Sequence, residues 1–193
     1  MRIIGGTFRG LVLASVGKGD AGAHLRPTTD RVRETLFNVL QGGRFGDPVE
    51  GAHVLDLFAG TGALGLEALS RGAEHVTFVD DGRKAQSLIA QNIKKCRVQG
   101  QADLVRCDAL RLPKCEGAPA DLVFLDPPYG KGLGQKALVH AVAQGWITAG
   151  AFVVFEDSQS VETMDGFDVL ESRKYGDTQI TFLEGLGPET GQV

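Results

Sequence analysis

Residues 53–65 read HVLDLFAGTGALG, a short apolar run followed by closely spaced glycines. The apolar run at residues 53–58 predicts a buried β-strand. The small residues after it predict a tight turn into a helix that begins near Gly62 or Ala63 and ends near Ser70. Residues 60–65 match the pattern GxGxxG, which is typical of loops whose backbone amides approach a ligand closely. This match is weak on its own, so the surrounding residues must decide its meaning.

From residue 52 onward, short apolar runs alternate with longer segments of helical periodicity, a pattern typical of βα units. We predict strands at residues 53–58, 75–79, 102–106, 120–125 and 151–155, followed by an antiparallel hairpin at 167–174 and 179–183. Helices are predicted at residues 62–70, 81–96 and 133–144. The predicted fold class is therefore α/β, with a seven-stranded, mostly parallel sheet and helices on both faces.

The first 44 residues are predicted to form an extension of the main domain. Residues 2–6 and 11–14 would pair as a small hairpin, and residues 29–40 have the apolar periodicity of a helix that Thr28, Thr29 or Asp30 would cap. The predicted organisation is an extension at 1–44, a main domain at 45–184 and a flexible tail at 185–193.

Composition excludes several classes of protein. No apolar run approaches the roughly 20 residues that a membrane helix needs, and the N-terminus lacks the apolar stretch of a secretory signal. The three cysteines show no CxxC spacing, and the four histidines show no pairing that would place two ligands on one helical face. We therefore expect a cytoplasmic protein with no structural disulfide and no metal. A monomer is our working expectation, although composition does not determine the oligomeric state.

Charge is distributed unevenly along the chain. The net charge is −4, but residues 1–44 contain seven basic and three acidic residues, a net charge of +4, which leaves −8 for the remainder. A basic segment in front of an acidic body is compatible with phosphate binding if its charges cluster in space, and otherwise with an ordinary solvated face.

Carboxylates follow successive strands of the predicted sheet. Asp56 lies at the end of the first strand, Asp80 at the end of the second and Asp108 after the third. A carboxylate in the place of Asp80 can accept both hydroxyls of an adenosine ribose. Several acids around one site would repel a pyrophosphate and attract a ligand with sulfonium and ammonium groups, which favours S-adenosylmethionine over a nicotinamide dinucleotide. The predicted cofactor contacts are Asp56, Phe58, Gly60, Thr61, Gly62, Asp80, Asp108 and Ala109.

The fourth strand ends abruptly at Asp126-Pro127-Pro128-Tyr129. The two prolines stiffen the loop and remove amide donors, so that carbonyl oxygens are left to face a substrate. The Asp126 carboxylate and the Pro127 carbonyl can accept the two N–H bonds of an exocyclic amine, and Tyr129 can stack on the base that carries it. These four residues are the predicted catalytic site, for a guanine, adenine or cytosine amino group alike.

Taken together, these motifs resemble the amino-methyltransferase branch of the class I S-adenosylmethionine-dependent enzymes. The segment in front of the sheet narrows the resemblance through RIIGG at residues 2–6, RG at 9–10, RPT at 26–28, RVRE at 31–34 and FN at 37–38. These short motifs resemble the bacterial RsmD family, which methylates guanine N2 in small-subunit (16S) ribosomal RNA. The resemblance spans residues 2–183.

The resemblance implies an RNA substrate within an assembled or nearly assembled small subunit, with S-adenosyl-L-homocysteine as the cofactor product. Many members of the family have glutamate in place of Asp80 and phenylalanine in place of Tyr129, and both changes preserve the chemistry. Residues 15–23 form a long stretch rich in glycine and alanine that departs from the family pattern. The implied phosphate contacts are Arg2, Arg9, Arg26, Arg31 and Arg33.

Three other functions remain as alternatives. An adenine-N6 methyltransferase acting on DNA or RNA would use the same tetrapeptide, although a DNA enzyme usually needs a separate target-recognition region. An NAD-dependent oxidoreductase would explain the glycines and Asp80 but would leave the proline-stiffened loop without a role. A non-catalytic RNA-binding assembly factor would retain the fold without turnover.

Overall fold

The computed structural model describes residues 1–15, 29–128, 132–176 and 178–186. Seven strands form one sheet in the order β3-β2-β1-β4-β5-β7-β6, in which β1 to β5 are parallel and β7 pairs antiparallel with both β5 and β6. The strands are β1 (His53–Leu57), β2 (His75–Val79), β3 (Ala102–Val105), β4 (Ala120–Leu125), β5 (Ile147–Asp157), β6 (Phe167–Tyr175) and β7 (Thr178–Gly185). The predicted fold class is confirmed.

Helices cover both faces of the sheet, so the central strands are buried on both sides. The helices are α1 (Asp30–Leu40), α2 (Ala63–Ser70), α3 (Arg83–Cys96) and α4 (Leu133–Ala143), with a short 3-10 helix at Ala109–Arg111. Val54 and Phe124 pack in the core shared with α1, α2 and α3, whereas Leu55 and Leu125 pack in a second core with α4. Neighbouring residues of each strand point to opposite faces, which explains why these strands read as continuous apolar runs.

The N-terminal segment, residues 1–15, lies against α2 and α3 and shares their core. Its two halves pair as a small hairpin, with an antiparallel bridge between Arg2 and Val12 and a 3.0 Å hydrogen bond from the Ile3 amide to the Leu11 carbonyl. Helix α1 follows, capped by the Thr29 hydroxyl as predicted. Ile3 and Leu13 are buried in the same core as α1 to α3. The described parts of the predicted extension, residues 1–15 and 29–44, therefore pack on the main core, and residues 16–28 lie outside the described residues.

The main difference from the sequence prediction concerns β5. The apolar run at residues 151–155 predicts a short strand, but the strand begins at Ile147, which pairs with Ala120 across a register shift. Residues 147–150 are not continuously apolar, so only this pairing with β4 identifies them as strand. β7 also extends to Gly185, the first residue of the predicted tail, and residues 187–193 lie outside the described residues. No helix in the described part of the chain is long and apolar enough to span a membrane.

Candidate active site

The glycine loop, residues 58–62, connects the carboxyl end of β1 to α2. Phe58, Gly60 and Gly62 all have positive φ angles, of 59°, 58° and 74°. The loop is fixed by a 3.1 Å hydrogen bond from the Ala59 amide to the Val79 carbonyl and by a 2.7 Å bond from the Gly62 amide to the Ala59 carbonyl. Two of these left-handed positions are glycine, which adopts that conformation at little cost. The loop is therefore a tight turn that ends at the amino terminus of α2.

Asp56 is buried beneath this loop and supports the start of α2. Its carboxylate accepts a 3.0 Å hydrogen bond from the Gly65 amide in the first turn of the helix. The capping residue Gly62 has no side chain to accept this bond, so Asp56 supplies the acceptor in its place. Burial, which outweighs the Gly65 hydrogen bond, together with the nearby charge of Asp80 raises the pKa of Asp56 to about 8.

Asp80 joins the glycine loop to the amino terminus of α3. One carboxylate oxygen accepts a 2.9 Å hydrogen bond from the Gly60 amide, and the other accepts a 2.8 Å bond from the Gly82 amide. Each oxygen retains acceptor capacity for a further donor. Burial raises the pKa of Asp80 despite these two bonds, and Asp81 adds to the increase. The carboxylate is thus held at the edge of the glycine loop, where the sequence predicted a ligand contact.

Asp126 and the two prolines follow β4, beside the end of β1. The Asp126 amide donates a 3.5 Å hydrogen bond to the Leu57 carbonyl, directly before the glycine loop. Pro127 is buried, while Asp126 is half-buried and Pro128 is exposed. Burial, followed by the charges of Glu156, Asp56 and Asp157, raises the pKa of Asp126 well above its ordinary value. Asp126-Pro127-Pro128 and the glycine loop therefore meet at one edge of the sheet, and Tyr129 lies outside the described residues.

Two acidic residues at this edge were missed by the sequence prediction. Glu156 and Asp157 form the end of β5, and Glu156 is buried. Because Leu125 pairs with Phe155 in adjacent parallel strands, the residues that follow them, Asp126 and Glu156, lie beside each other at this edge of the sheet. The rule that placed Asp56, Asp80 and Asp126 at strand ends would have found Glu156 if β5 had been predicted at its full length.

Asp108 and Ala109 lie in the connection after β3. The Asp108 carboxylate accepts a 2.9 Å hydrogen bond from the Leu110 amide and caps the 3-10 helix. Ala109 is buried in the second core. Asp108 is half-buried, and it lies in the connection after β3, the strand that neighbours β2 in the sheet.

The predicted phosphate contacts separate into different groups. Arg2, Arg9 and Arg31 are exposed, with the Arg2 guanidinium 3.9 Å from Asp30. The prediction for Arg33 is wrong, because its side chain is fully buried. Arg33 donates to the Arg2 carbonyl and to Asp30, and its Nε lies 3.6 Å from Glu67. Arg26 lies outside the described residues.

Glu67 is the centre of a buried network that the sequence prediction did not include. Its two carboxylate oxygens accept 2.8 Å hydrogen bonds from the Ile4 and Gly5 amides, and one of them also accepts a 2.8 Å bond from Arg71. Arg33 approaches the same carboxylate from α1. Glu67 therefore joins α1, α2 and the N-terminal segment. Among the described residues, no group of three or more histidine, cysteine, aspartate or glutamate side chains is arranged to hold a metal ion.

Comparisons with known proteins agree on one family. The family described as Conserved hypothetical protein 95 matches residues 1–184. Ribosomal RNA small subunit methyltransferase D of Escherichia coli K12 is 38% identical over 156 residues, which cover 81% of this chain and 74% of that protein. The protein of the same name from Haemophilus influenzae is 34% identical over 182 residues, 91% of this chain and 89% of its own length.

A solved structure gives the same result for the fold. The Escherichia coli methyltransferase yhhF superimposes with a TM-score of 0.81 at 33% identity, over 97% of this chain and 99% of its own. The match covers the N-terminal segment as well as the sheet. The chain therefore belongs to the RsmD family of methyltransferases, which has the class I methyltransferase fold.

Proposed function

We propose that this protein transfers a methyl group from S-adenosylmethionine to the exocyclic N2 of a guanine in 16S ribosomal RNA, acting on assembled or nearly assembled small subunits. The observation that carries the proposal is the meeting of Asp126-Pro127 with the glycine loop at the ends of β4 and β1. The names of the relatives support the choice of polymer and subunit. The protein would act as a monomer in the cytoplasm.

The described residues fit such a methyl donor. Asp80 retains acceptor capacity toward ribose hydroxyls. Burial raises the pKa values of Asp56, Asp80 and Asp126, and the charge of a nearby acidic side chain adds to each increase. A ligand with a sulfonium and an ammonium group favours the ionised form of such carboxyls, whereas a pyrophosphate opposes it. When bound, S-adenosylmethionine supplies an electrophilic methyl carbon. The contacts proposed are Asp56, Phe58, Gly60, Thr61, Gly62, Asp80, Asp108 and Ala109.

The residues after β4 would position the guanine amine. Its lone pair is delocalised into the ring, which makes it a poor nucleophile. The Asp126 carboxylate and the Pro127 carbonyl accept its two N–H bonds, localise the lone pair on nitrogen and orient it toward the methyl carbon. The C–N bond would form as the S–C bond breaks, and the proton that the nitrogen releases would pass to the Asp126 carboxylate. Pro128 and Tyr129 complete this site, with Tyr129 stacked on a base that has left its stack.

The N-terminal segment and α1 would contact RNA phosphates. Arg2 and Arg9 lie on the segment and Arg31 on α1, and all three are exposed. Arg26 belongs to the same proposal, whereas Arg33 does not because it is buried. Phosphate contacts of this kind set the orientation of an RNA without selecting its sequence. The base to be methylated would be selected by how the docked subunit presents it to Asp126.

One experiment tests the reaction and its product together. The protein is incubated with labelled S-adenosylmethionine and small subunits from cells that lack this methylation, and the digested RNA is analysed by mass spectrometry. We expect N2-methylguanosine. N6-methyladenosine would contradict the base assignment, and the absence of any transfer would favour a non-catalytic assembly factor. Binding of NAD without binding of S-adenosylhomocysteine would favour an oxidoreductase.

Substitutions of Asp126 test its assigned role. Asp126→Ala removes the acceptor, so we expect methyl transfer to be lost while S-adenosylmethionine still binds. Asp126→Asn keeps one oxygen acceptor and should retain part of the rate. Single-turnover rates and equilibrium binding measured on the same preparations separate the two effects. Full activity in the alanine variant would contradict the role of Asp126.

A further inference from the structure

Asn92 is a fully buried polar residue on the face of α3 that packs against the core. Its helical neighbours Leu88, Ile89 and Cys96 are buried apolar residues, so its position is one that an amphipathic helix normally fills with an apolar side chain. A buried amide costs free energy unless its polar atoms are hydrogen-bonded. The partners of Asn92 therefore indicate what its polarity is for.

The Asn92 amide group makes three hydrogen bonds, and they lead to two different parts of the chain. Its Oδ1 accepts a 2.7 Å bond from the Ala14 amide, and its Nδ2 donates a 3.1 Å bond to the Ala14 carbonyl. The same Nδ2 donates a 2.9 Å bond to the Thr61 carbonyl. Both N–H donors are thus in use, one toward the N-terminal segment and one toward the glycine loop.

Thr61 lies between the two glycines of the loop, both with positive φ. It also contacts the other end of the N-terminal segment, because its hydroxyl donates a 3.4 Å hydrogen bond to the Met1 sulfur. The segment is also anchored by Glu67 and Ser70 in the later turns of α2, by Arg33 of α1 and by Lys95 of α3. Within the described part of the chain, Asn92 and Met1 carry hydrogen bonds that join the glycine loop to the segment.

We propose that Asn92 is a positioning residue that couples the glycine loop to the N-terminal segment, so that methyl-donor binding and RNA binding strengthen one another. This inference rests on the proposed function, in which the loop holds the donor and the segment carries Arg2 and Arg9. A ligand that fixes the Thr61 backbone fixes the Asn92 amide and, through it, Ala14. The coupling is reciprocal, because each ligand changes the affinity for the other by the same factor.

The coupling is measured by the affinity for S-adenosylhomocysteine with and without saturating small subunits that lack the methyl group. In the unmodified protein we expect the subunits to tighten binding by at least about fivefold. Asn92→Asp keeps the acceptor for the Ala14 amide but loses both donors, so this ratio should fall close to one. Gln91→Glu is the matched control, because Gln91 is exposed on the same helix and its side-chain amide donates a hydrogen bond to Ser87. It should keep the full ratio.

Hydrogen exchange in the unmodified protein gives a second test that does not depend on the stability of a variant. S-adenosylhomocysteine should slow exchange of the Ala14 amide, whose acceptor is Asn92. Unchanged exchange at Ala14 would overturn the inference. The inference would also be overturned if Asn92→Asp lowered the melting temperature but left the coupling ratio unchanged, because Asn92 would then have a purely structural role.

The failure of this inference can be distinguished from the failure of the proposed function. If S-adenosylhomocysteine and the subunits each bind but bind independently, the coupling is absent and the proposed function stands. If neither S-adenosylhomocysteine nor S-adenosylmethionine binds, the proposed function fails, and the coupling fails with it.

Discussion

The Asp56 carboxylate accepts a 3.0 Å hydrogen bond from the Gly65 amide and so caps a helix whose own capping residue, Gly62, has no side chain. The carboxylate is buried, and the contact places an acid between the glycine loop and α2. The same residue thus shapes the loop and contributes to the acidic character of the site. Its ionisation links the stability of the fold to pH.

Replacing Asp56 with asparagine should flatten the dependence of stability on pH. The pKa of Asp56 is raised to about 8 in the folded protein, so between the ordinary value of 3.8 and 8 the folded state binds a proton that the unfolded state has lost. The free energy of unfolding therefore falls as pH rises, by at most about 1.4 kcal/mol per pH unit from this group, and levels off above 8. Asparagine keeps an acceptor for Gly65 and removes this contribution.

Urea unfolding of the ligand-free protein between about pH 5 and pH 8 measures this difference. Asp165→Asn is the control, because Asp165 is exposed. Its free energy of unfolding should depend on pH in the same way as that of the unmodified protein. Parallel curves for Asp56→Asn and the unmodified protein would contradict the raised pKa.

Replacing Glu156 with glutamine should shift the pH dependence of methyl transfer toward lower pH. The ionised form of Asp126 is the stronger acceptor for an amine, so the rate should rise with pH through the pKa of this residue. After burial, the charge of Glu156 is the largest cause that raises this pKa. Removing that charge lowers the pKa of Asp126, so the acidic limb of the pH–rate profile moves to lower pH.

Single-turnover rates at saturating S-adenosylmethionine, measured between about pH 6 and pH 9, would show the shift. Asp157→Asn should produce a smaller shift in the same direction, because Asp157 has a weaker effect on the pKa of Asp126. An acidic limb that does not move in either variant would argue against ionisation of Asp126 in the reaction.

Replacing Glu67 with alanine should destabilise the protein strongly. The change leaves Arg33 buried without this carboxylate and removes the acceptor of the Ile4 and Gly5 amides. Breaking a buried ion pair by removing one partner typically costs about 3–5 kcal/mol. Chemical denaturation gives the loss, and Glu74→Ala, at an exposed position, should change stability by less than about 0.5 kcal/mol. Similar losses in both variants would contradict the structural role of Glu67.

Reversing the charge of Arg9 and Arg31 together should weaken binding to the small subunit without unfolding the protein. Both side chains are exposed, in contrast to Arg33. The logarithm of the binding constant falls linearly with the logarithm of the salt concentration, and each phosphate contact that is lost should reduce the size of this slope by about one. Affinities at several salt concentrations measure this slope, and Lys174→Glu on the edge strand β6 is the matched control. An unchanged slope would exclude these arginines from the RNA interface.

The central part of the fold was predictable from local patterns. Strands β1, β2 and β4 and helix α2 begin and end within a residue or two of their predicted positions, because buried parallel strands read as apolar runs and glycines or prolines mark their ends. The start of β5 was not predictable, because residues 147–150 become strand only by pairing with β4.

The sequence by itself determined the order of the elements and which acidic residues follow the strands, because hydrophobic periodicity and chain-breaking residues act over short distances. Only the tertiary structure decided which polar residues face solvent and which are buried. Arg31 and Arg33 are two residues apart on α1, yet one is exposed and the other reaches Glu67 in the core. Asn92 likewise reads as one polar residue in a helix, and its role depends on Thr61 and Ala14, which only the packing of distant segments brings within hydrogen-bonding distance.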